Sequence, residues 1–209
     1  MSNSTNQEIG PNKDEKYRHI YVMIEHFEGQ VVPVSLEMLG EARRLMDDFN
    51  QKYKLREKVV AVLLGSNVRN LCDELVTYGA DAVIYANHDE LKYPRNDIDT
   101  RVIVQIAKDA KITKEIEPEY AGTYVKPRYM FFAADNIGRH LSSTVLADLE
   151  SGLASDINKL VISDLDIRHE HKTKGQSVRY EKILEMYRPD FSGFLWTTIL
   201  CLDNKNPEI

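Results

Sequence analysis

Apolar residues fall along this chain first in unbroken bursts and then at helical steps, and the two patterns alternate. The burst in "HIYVMIEHF" (His19–Phe27) is β-branched or aromatic at its centre and predicts a buried strand. After the turn "EGQVVP", Leu36, Leu39, Ala42, Leu45, Met46 and Phe49 recur at three- and four-residue steps. That spacing predicts a helix with one apolar face, with Ser35 as its N-cap. "KVVAVLLG" (Lys58–Gly65) has no polar alternation, as a strand covered on both faces does not. Ser66 or Asn67 is then expected to cap the helix "VRNLCDELVTYG", and Gly79 to close it. A shorter strand, "ADAVIYAN", precedes a third helix over "NDIDTRVIVQIAKDAKI", with Ile98, Val102, Ile106 and Ala110 on one stripe. The polar stretch Thr113–Pro127 reads as a surface insertion. "RYMFFAAD" predicts the fourth strand, and "NIGRHLSSTVLADLESG" a fourth helix capped by Asp135 or Asn136.

Strand and helix in alternation predict a three-layer α/β/α fold with a mainly parallel sheet. After Gly152 the period changes. "INKLVISDLDIRHEH", "SVRYEKILEMY" and "GFLWTTILCLDN" read as strands, with Lys172–Gly175 as a turn, and predict antiparallel or mixed additions to the sheet edge at the C-terminal end. The polar start "MSNSTNQEIGPNKDEKYR" is read as a disordered or arm-like leader (residues 1–18), leaving 19–209 as a single α/β domain. A formal charge of −6 and the lack of a long basic block exclude nucleic-acid binding through a basic face. No run reaches the roughly 18–20 apolar residues of a membrane span, and the leader has no apolar core of the kind a secretory signal needs. The expectation is a cytoplasmic protein whose two cysteines, Cys72 and Cys201, are buried free thiols.

The loops after the first and fourth strands should leave the carboxyl ends of parallel strands, where an open sheet binds ligands. At the second of these, "ADNIGRH" offers a helix N-terminus with one glycine, Gly138, beside Asn136, Arg139 and His140. It is either a cradle for an anion or a capped helix that faces a partner. No G-x-G-x-x-G and no P-loop is present. His169 and His171 would share a strand face, but no further ligand lies near them in sequence to complete a metal site. Ser142 and Ser143 fall within a helix and not on a nucleophile elbow. No catalytic and no metal-ligating residue is therefore expected. In "RPDFSGFLWTTIL" (Arg188–Leu200), Gly193 interrupts an otherwise strong strand. It marks a bulge or a close approach, from a bend at the sheet edge or from contact with a partner domain. Trp196, in the same strand, is expected to be buried.

Several segments in order resemble the electron-transfer flavoprotein α subunits. "IEHFEGQVVPVSLEMLGEAR" is similar to that family's E-H-x-x-G-x-L-x-P-x-[ST]-L-E-x-L-x-x-A-R opening, and "VLLGSNV", "ELVTYGADAV", "GRHLSSTVLADLESGLASD" and "RPDFSGFLWTTIL" continue the resemblance. His140 and Ser192 depart from it, standing where the family commonly has Asp and Gly. The resemblance implies an adenine-nucleotide hydrolase-like fold acting as the N-terminal scaffold and subunit-interface domain of the α subunit. It also implies an electron-transfer flavoprotein β subunit as partner, and FAD held mainly by a later domain, so that no cofactor-binding residue is expected in this chain. The complex would carry electrons from flavin dehydrogenases, such as the acyl-CoA type of fatty acid β-oxidation, to a quinone-linked acceptor or a bifurcating partner, as an electron carrier and not an enzyme. In a eukaryote the place of work would be the mitochondrial matrix. Asn136, Gly138, Arg139, Arg188 and Gly193 are the interface or structural candidates, and a weak homodimer of the isolated domain is expected. The chain stops at "NPEI", where the family continues with a strand and the flavin domain, so a piece of a longer subunit is expected. The rival readings are a stand-alone nucleotide-binding module of universal-stress-protein type and a small hydrolase of the same fold group.

Overall fold

The computed structural model describes residues 8–9, 17–119, 126–202 and 207–209. Two strands of different sheets open the described chain, β1 (Glu8–Ile9) and β2 (Tyr17–Ile24), followed by a small hairpin of β3 (His26–Phe27) and β4 (Gln30–Val31). Helix α1 (Pro33–Tyr53), β5 (Val59–Gly65), α2 (Cys72–Thr77) and β6 (Ala82–Asn87) come next. Helices α3 (Asn96–Lys108) and α4 (Ala110–Ile116), strand β7 (Lys126–Phe131) and α5 (Asn136–Leu149) complete the alternating part. Strands β8 (Lys159–Arg168), β9 (Ser177–Asp190) and β10 (Leu195–Ile199) follow.

Strands β6, β5, β2 and β7 form, in that order, a parallel sheet. Successive side chains of a strand point to opposite faces, and the core divides accordingly. Ile20, Val22, Ile24, Val59, Ala61 and Leu63 pack against α1, while Tyr21, Met23, Val60 and Val62 pack against α3 and α5. The sheet is covered on both faces, which is why its strands read as unbroken apolar runs. The result is the three-layer α/β/α arrangement that the alternation predicts.

Local details differ where a tertiary bond outcompetes a cap. Helix α1 begins at Pro33, whose fixed φ suits the first helical position, and its N-cap is Val32. Ser35, expected as the cap, is buried inside the helix, where its Oγ accepts the Glu25 N–H at 2.9 Å. Neither Ser66 nor Asn67 caps α2, which is preceded by a 3-10 turn at Arg69–Leu71. The Asn67 N–H donates instead to Asn87 Oδ1 (2.9 Å) and the Val68 N–H to the Tyr85 hydroxyl (2.8 Å), tying this loop to β6. Gly79 does close the helix, at φ +112°. The buried stripe of α3 is Asp99, Thr100, Ile103, Ile106 and Ala107, so Ile98 and Val102 lie at its margin. The Thr113–Pro127 stretch is not simply a surface insertion. Ile116 at the end of α4 is in the core, and Glu117 joins a buried ion cluster; residues 120–125 lie outside the described residues.

The C-terminal strands form the mixed addition, but not at the parallel sheet's edge. Strands β8 and β10 run antiparallel to β9 and β1 runs parallel to it, in a second sheet of their own. Leu160, Ile162, Leu184 and Met186 press this sheet onto the α1 core. Polar bonds fix its position: the Tyr129 hydroxyl donates to the Lys182 carbonyl (2.9 Å), and Asp164, at a bulge in β8, accepts from the Tyr53 hydroxyl (2.7 Å) and the Lys182 N–H (3.0 Å). The leader residues Glu8–Ile9 lie against β9 as an arm, and most of the remaining leader lies outside the described residues.

At the amino ends of β2, β5 and β7 sits the buried ion cluster. Glu57, with a side chain sealed from solvent, lies 3.2 Å from Arg128 Nη2 and 3.7 Å from Arg18 Nε, and accepts the His19 backbone N–H. Arg18 Nη2 also reaches Glu117 Oε1 at 2.8 Å. The Lys58 N–H donates to His19 Nδ1 at 3.0 Å, so the neutral ring carries its proton on Nε2, 3.3 Å from Glu117 Oε2. Glu57 Oε2 also lies 3.4 Å from Nδ1, and although burial opposes it, the Glu117 and Glu57 carboxylates together raise the pKa of the ring. Burial alone would raise the Glu57 pKa; His19, Arg128 and Arg18 outweigh it and bring the carboxyl down to about 2.

Candidate functional site

From β2 the chain adds β5 and β6 on one side and then β7 on the other, so the topological switch point of this sheet lies between β2 and β7. The loops leaving these two strands meet over a cavity of about 120 Å³, bordered by Glu25, His26, Leu91, Asp99, Phe132 and Ile137. Nucleotide and other small-molecule sites need roughly 300–1,000 Å³. This space is too small for an adenine nucleotide.

The donors that would hold a phosphate are also spent. Asp135 is the N-cap of α5 and its Oδ1 accepts the N–H groups of Ile137 and Gly138, both at 2.9 Å. Its carbonyl takes the Arg139 N–H at 3.1 Å. The N–H groups that make a helix start attractive to anions are thus paired within the turn. Gly138 has a packing reason: a Cβ there would stand 2.1 Å from the Ala133 carbonyl oxygen. The Arg139 guanidinium pairs with Asp156 across the surface, and Asn136 is exposed as the first residue of α5. The start of α5 is therefore a capped helix.

Glu25 closes the same edge. Its carboxyl is pushed up to about 7 by burial and by the facing Asp135, with which it shares a hydrogen bond. Two acidic groups at the mouth repel any phosphate. Because the folded pKa lies above the reference of 4.5, stability is greatest below about pH 4.5 and falls as pH rises through about 7. Glu25→Gln, which mimics the protonated form, should remove that loss. Urea midpoints at pH 5 and pH 8 should fall with pH in the parent more than in the variant; equal slopes would refute the assignment.

The prominent exposed apolar surface lies on the hairpin between β9 and β10. The 3-10 turn Phe191–Gly193 joins β9 to β10, and around it Phe191, Phe194, Leu195 and Trp196 are 78%, 88%, 56% and 60% exposed. Trp196 is not buried, contrary to its strand pattern. Gly193 is neither a strand bulge nor a close approach: it has φ +88° in the hairpin turn with open space around it, so its role is the left-handed backbone. Arg188 lies on β9, 3.3 Å from Asp190, at the base of this hairpin. The structure thus brings Arg188 and Gly193 together and leaves Asn136, Gly138 and Arg139 at the sheet's carboxyl edge. The exposed aromatics escaped the sequence reading, although Phe191–Cys201 carries no charged residue.

Among the described residues no cluster of His, Cys, Asp or Glu could hold a metal, and no helix is long and apolar enough to cross a membrane. Cys72 and Cys201 are half-buried thiols that form no disulfide. These features define an α/β domain with a capped helix at its switch point and an exposed apolar hairpin. The chain belongs to the electron transfer flavoprotein domain family, whose model matches residues 20–185. It is similar to "Protein FixB" of Clostridium saccharobutylicum, 33% identical over 189 residues, covering 90% of this chain and 46% of the relative. "Acryloyl-CoA reductase electron transfer subunit beta" of Anaerotignum propionicum is 30% identical over 193 residues, 88% of this chain and 47% of that one. "Electron transfer flavoprotein subunit alpha" of Clostridium acetobutylicum is 29% identical over 189 residues, 90% and 46%. The similarity is to electron transfer flavoprotein subunits of the α kind. The chain spans about half the length of the curated relatives it matches.

Proposed function

We propose that this chain is the N-terminal scaffold of an electron-transfer flavoprotein α subunit, which pairs with a β subunit and leaves the FAD to protein outside this sequence. The assembled complex carries electrons from flavin dehydrogenases to a quinone-linked or bifurcating partner, and this chain contributes shape and contact, not redox chemistry. The observation that carries the reading is the closed switch point: Asp135 occupies the N–H groups of α5, and Glu25 stands beside it over a cavity of about 120 Å³. A flavin diphosphate needs free donors as well as space, and Asp135 takes the Ile137 and Gly138 N–H groups at that edge. Similar proteins, electron transfer subunits by name among them, support the same reading. The exposed hairpin and Arg188 at its base are a surface for the second subunit.

Two measurements test this. The purified chain should be colourless and bind added FAD no tighter than about millimolar, about 4 kcal/mol of binding. A yellow preparation with one equivalent of flavin would overturn the reading. Mixed with its β-type subunit, the chain should elute as a heterodimer, and Phe194→Asp should weaken that complex without altering the fold. Calorimetry with ATP addresses the stand-alone nucleotide module: micromolar binding would favour it over the scaffold.

A further inference from the structure

Strand β10 is an outer strand of the second sheet, and among the described residues only β9 pairs with it. The orientation of its backbone follows from its neighbour. The Tyr187 carbonyl accepts the Asn158 N–H at 2.9 Å on the β8 side. Tyr187 therefore faces Thr198 as a non-hydrogen-bonded pair. Pro189, which has no N–H to give, stands opposite Trp196 in the same way. The N–H and C=O groups of Trp196 and Thr198 thus point away from β9, to the open side.

Edge strands are ordinarily protected by a charge, a proline or a bulge. Strand β10, "LWTTI", has none of these, and the run Phe191–Cys201 around it is free of charge in a chain of formal net charge −6. Two copies that repel elsewhere can approach here with no like charges opposed. We propose that two copies of this chain pair antiparallel along β10 about Thr197, Trp196 of one copy opposite Thr198 of the other, with the hairpin aromatics closing over the join. The contact is isologous and closes on itself as a dimer.

The area sets its strength. An aromatic side chain buries roughly 150–250 Å², so the exposed fractions of Phe191, Phe194, Leu195 and Trp196 offer roughly 500 Å² per copy. About 1,000 Å² in total falls short of the 1,200–2,000 Å² of stable complexes. The dimer is weak and reversible. It stands on the hairpin's geometry and uses the face proposed above for the second subunit, which would displace it.

Sedimentation velocity on the full chain, from low to hundreds of micromolar, tests this. The mass should rise from 24.1 kDa toward twice that value, with a blue shift of Trp196 emission. Thr198→Pro removes an outward N–H but no backbone bond to β9, and Trp196→Lys brings two ammonium groups together. Each should move the midpoint upward by about tenfold or more, with unchanged far-ultraviolet circular dichroism; if Thr198→Pro fails to fold, Trp196→Lys carries the test. A mass of 24.1 kDa at every concentration, or a dimer that the folded variants form as readily as the parent, would overturn the proposal. Failure to bind a β-type subunit would count against the function proposed above and leave this dimer standing.

Discussion

Glu57→Ala is expected to remove a large share of the domain's stability. Glu57 is the carboxylate toward which Arg18, Arg128 and the His19 backbone N–H are turned, in a cluster shut off from water. Removing one partner of a buried ion group strands the others, at a cost of about 3–5 kcal/mol. Whole domains of this kind have only about 5–15 kcal/mol of stability to lose. Urea denaturation followed by circular dichroism measures the loss. Glu57→Gln, which keeps the shape and removes the charge, should also be destabilised; a variant as stable as the parent would refute the cluster's role. The pH dependence has a definite sign. The folded pKa of about 2 lies below the reference of 4.5, so the stabilisation is fully present above about pH 4.5 and is lost as pH falls through about 2. The shift corresponds to roughly 3 kcal/mol. Glu57 and Glu25 therefore tilt the stability curve in opposite directions, one in acid and the other toward neutrality.

Gly138→Ala is the second large effect. A Cβ at this position would lie 2.1 Å from the Ala133 carbonyl oxygen and 2.8 Å from its nitrogen, both backbone atoms that no rotamer change can move. Either α5 retreats or the loop after β7 opens, and in both cases the Asp135 cap is strained. Overpacking of this kind costs about 1–3 kcal/mol, and the upper end is expected where backbone meets backbone. Gly40→Ala is the control. It also sits in a helix, in open space, so alanine should raise stability by about 0.5–1 kcal/mol. Thermal or urea unfolding of both variants decides the matter: opposite signs are expected, and a neutral Gly138→Ala would show that the approach is looser than the structure places it.

Much of the fold is legible in the chain because its physics is local. The strands at Tyr17–Ile24, Val59–Gly65 and Lys126–Phe131 are covered on both faces and read as continuous apolar runs. The α1 stripe of Leu39, Ala42, Leu45, Met46 and Phe49 follows helical spacing, and the same residues are the buried ones. Asp135 is legible as a cap because its bond to the α5 N–H groups spans only two or three residues. The order of segments also carried the family resemblance, which the match over residues 20–185 bears out.

What the sequence left open depends on partners far along the chain. Ser35 is a good cap by type, but Glu25, ten residues away, claims its hydroxyl. Glu57, in the polar stretch "YKLREK", reads as surface; only the meeting of the amino ends of β2, β5 and β7 buries it among arginines. Periodicity identifies β8, β9 and β10 as strands but is silent on which edge they join, and pairing decided that they form a second sheet. For the same reason Trp196, apolar enough for a core, stands in solvent, since β10 has a neighbour on one side only among the described residues. Hydrophobic pattern and short-range capping thus set which segments are strand or helix. Burial of charge, exposure of aromatics and the closing of the switch point were set by tertiary contact, because each depends on residues that only folding brings together.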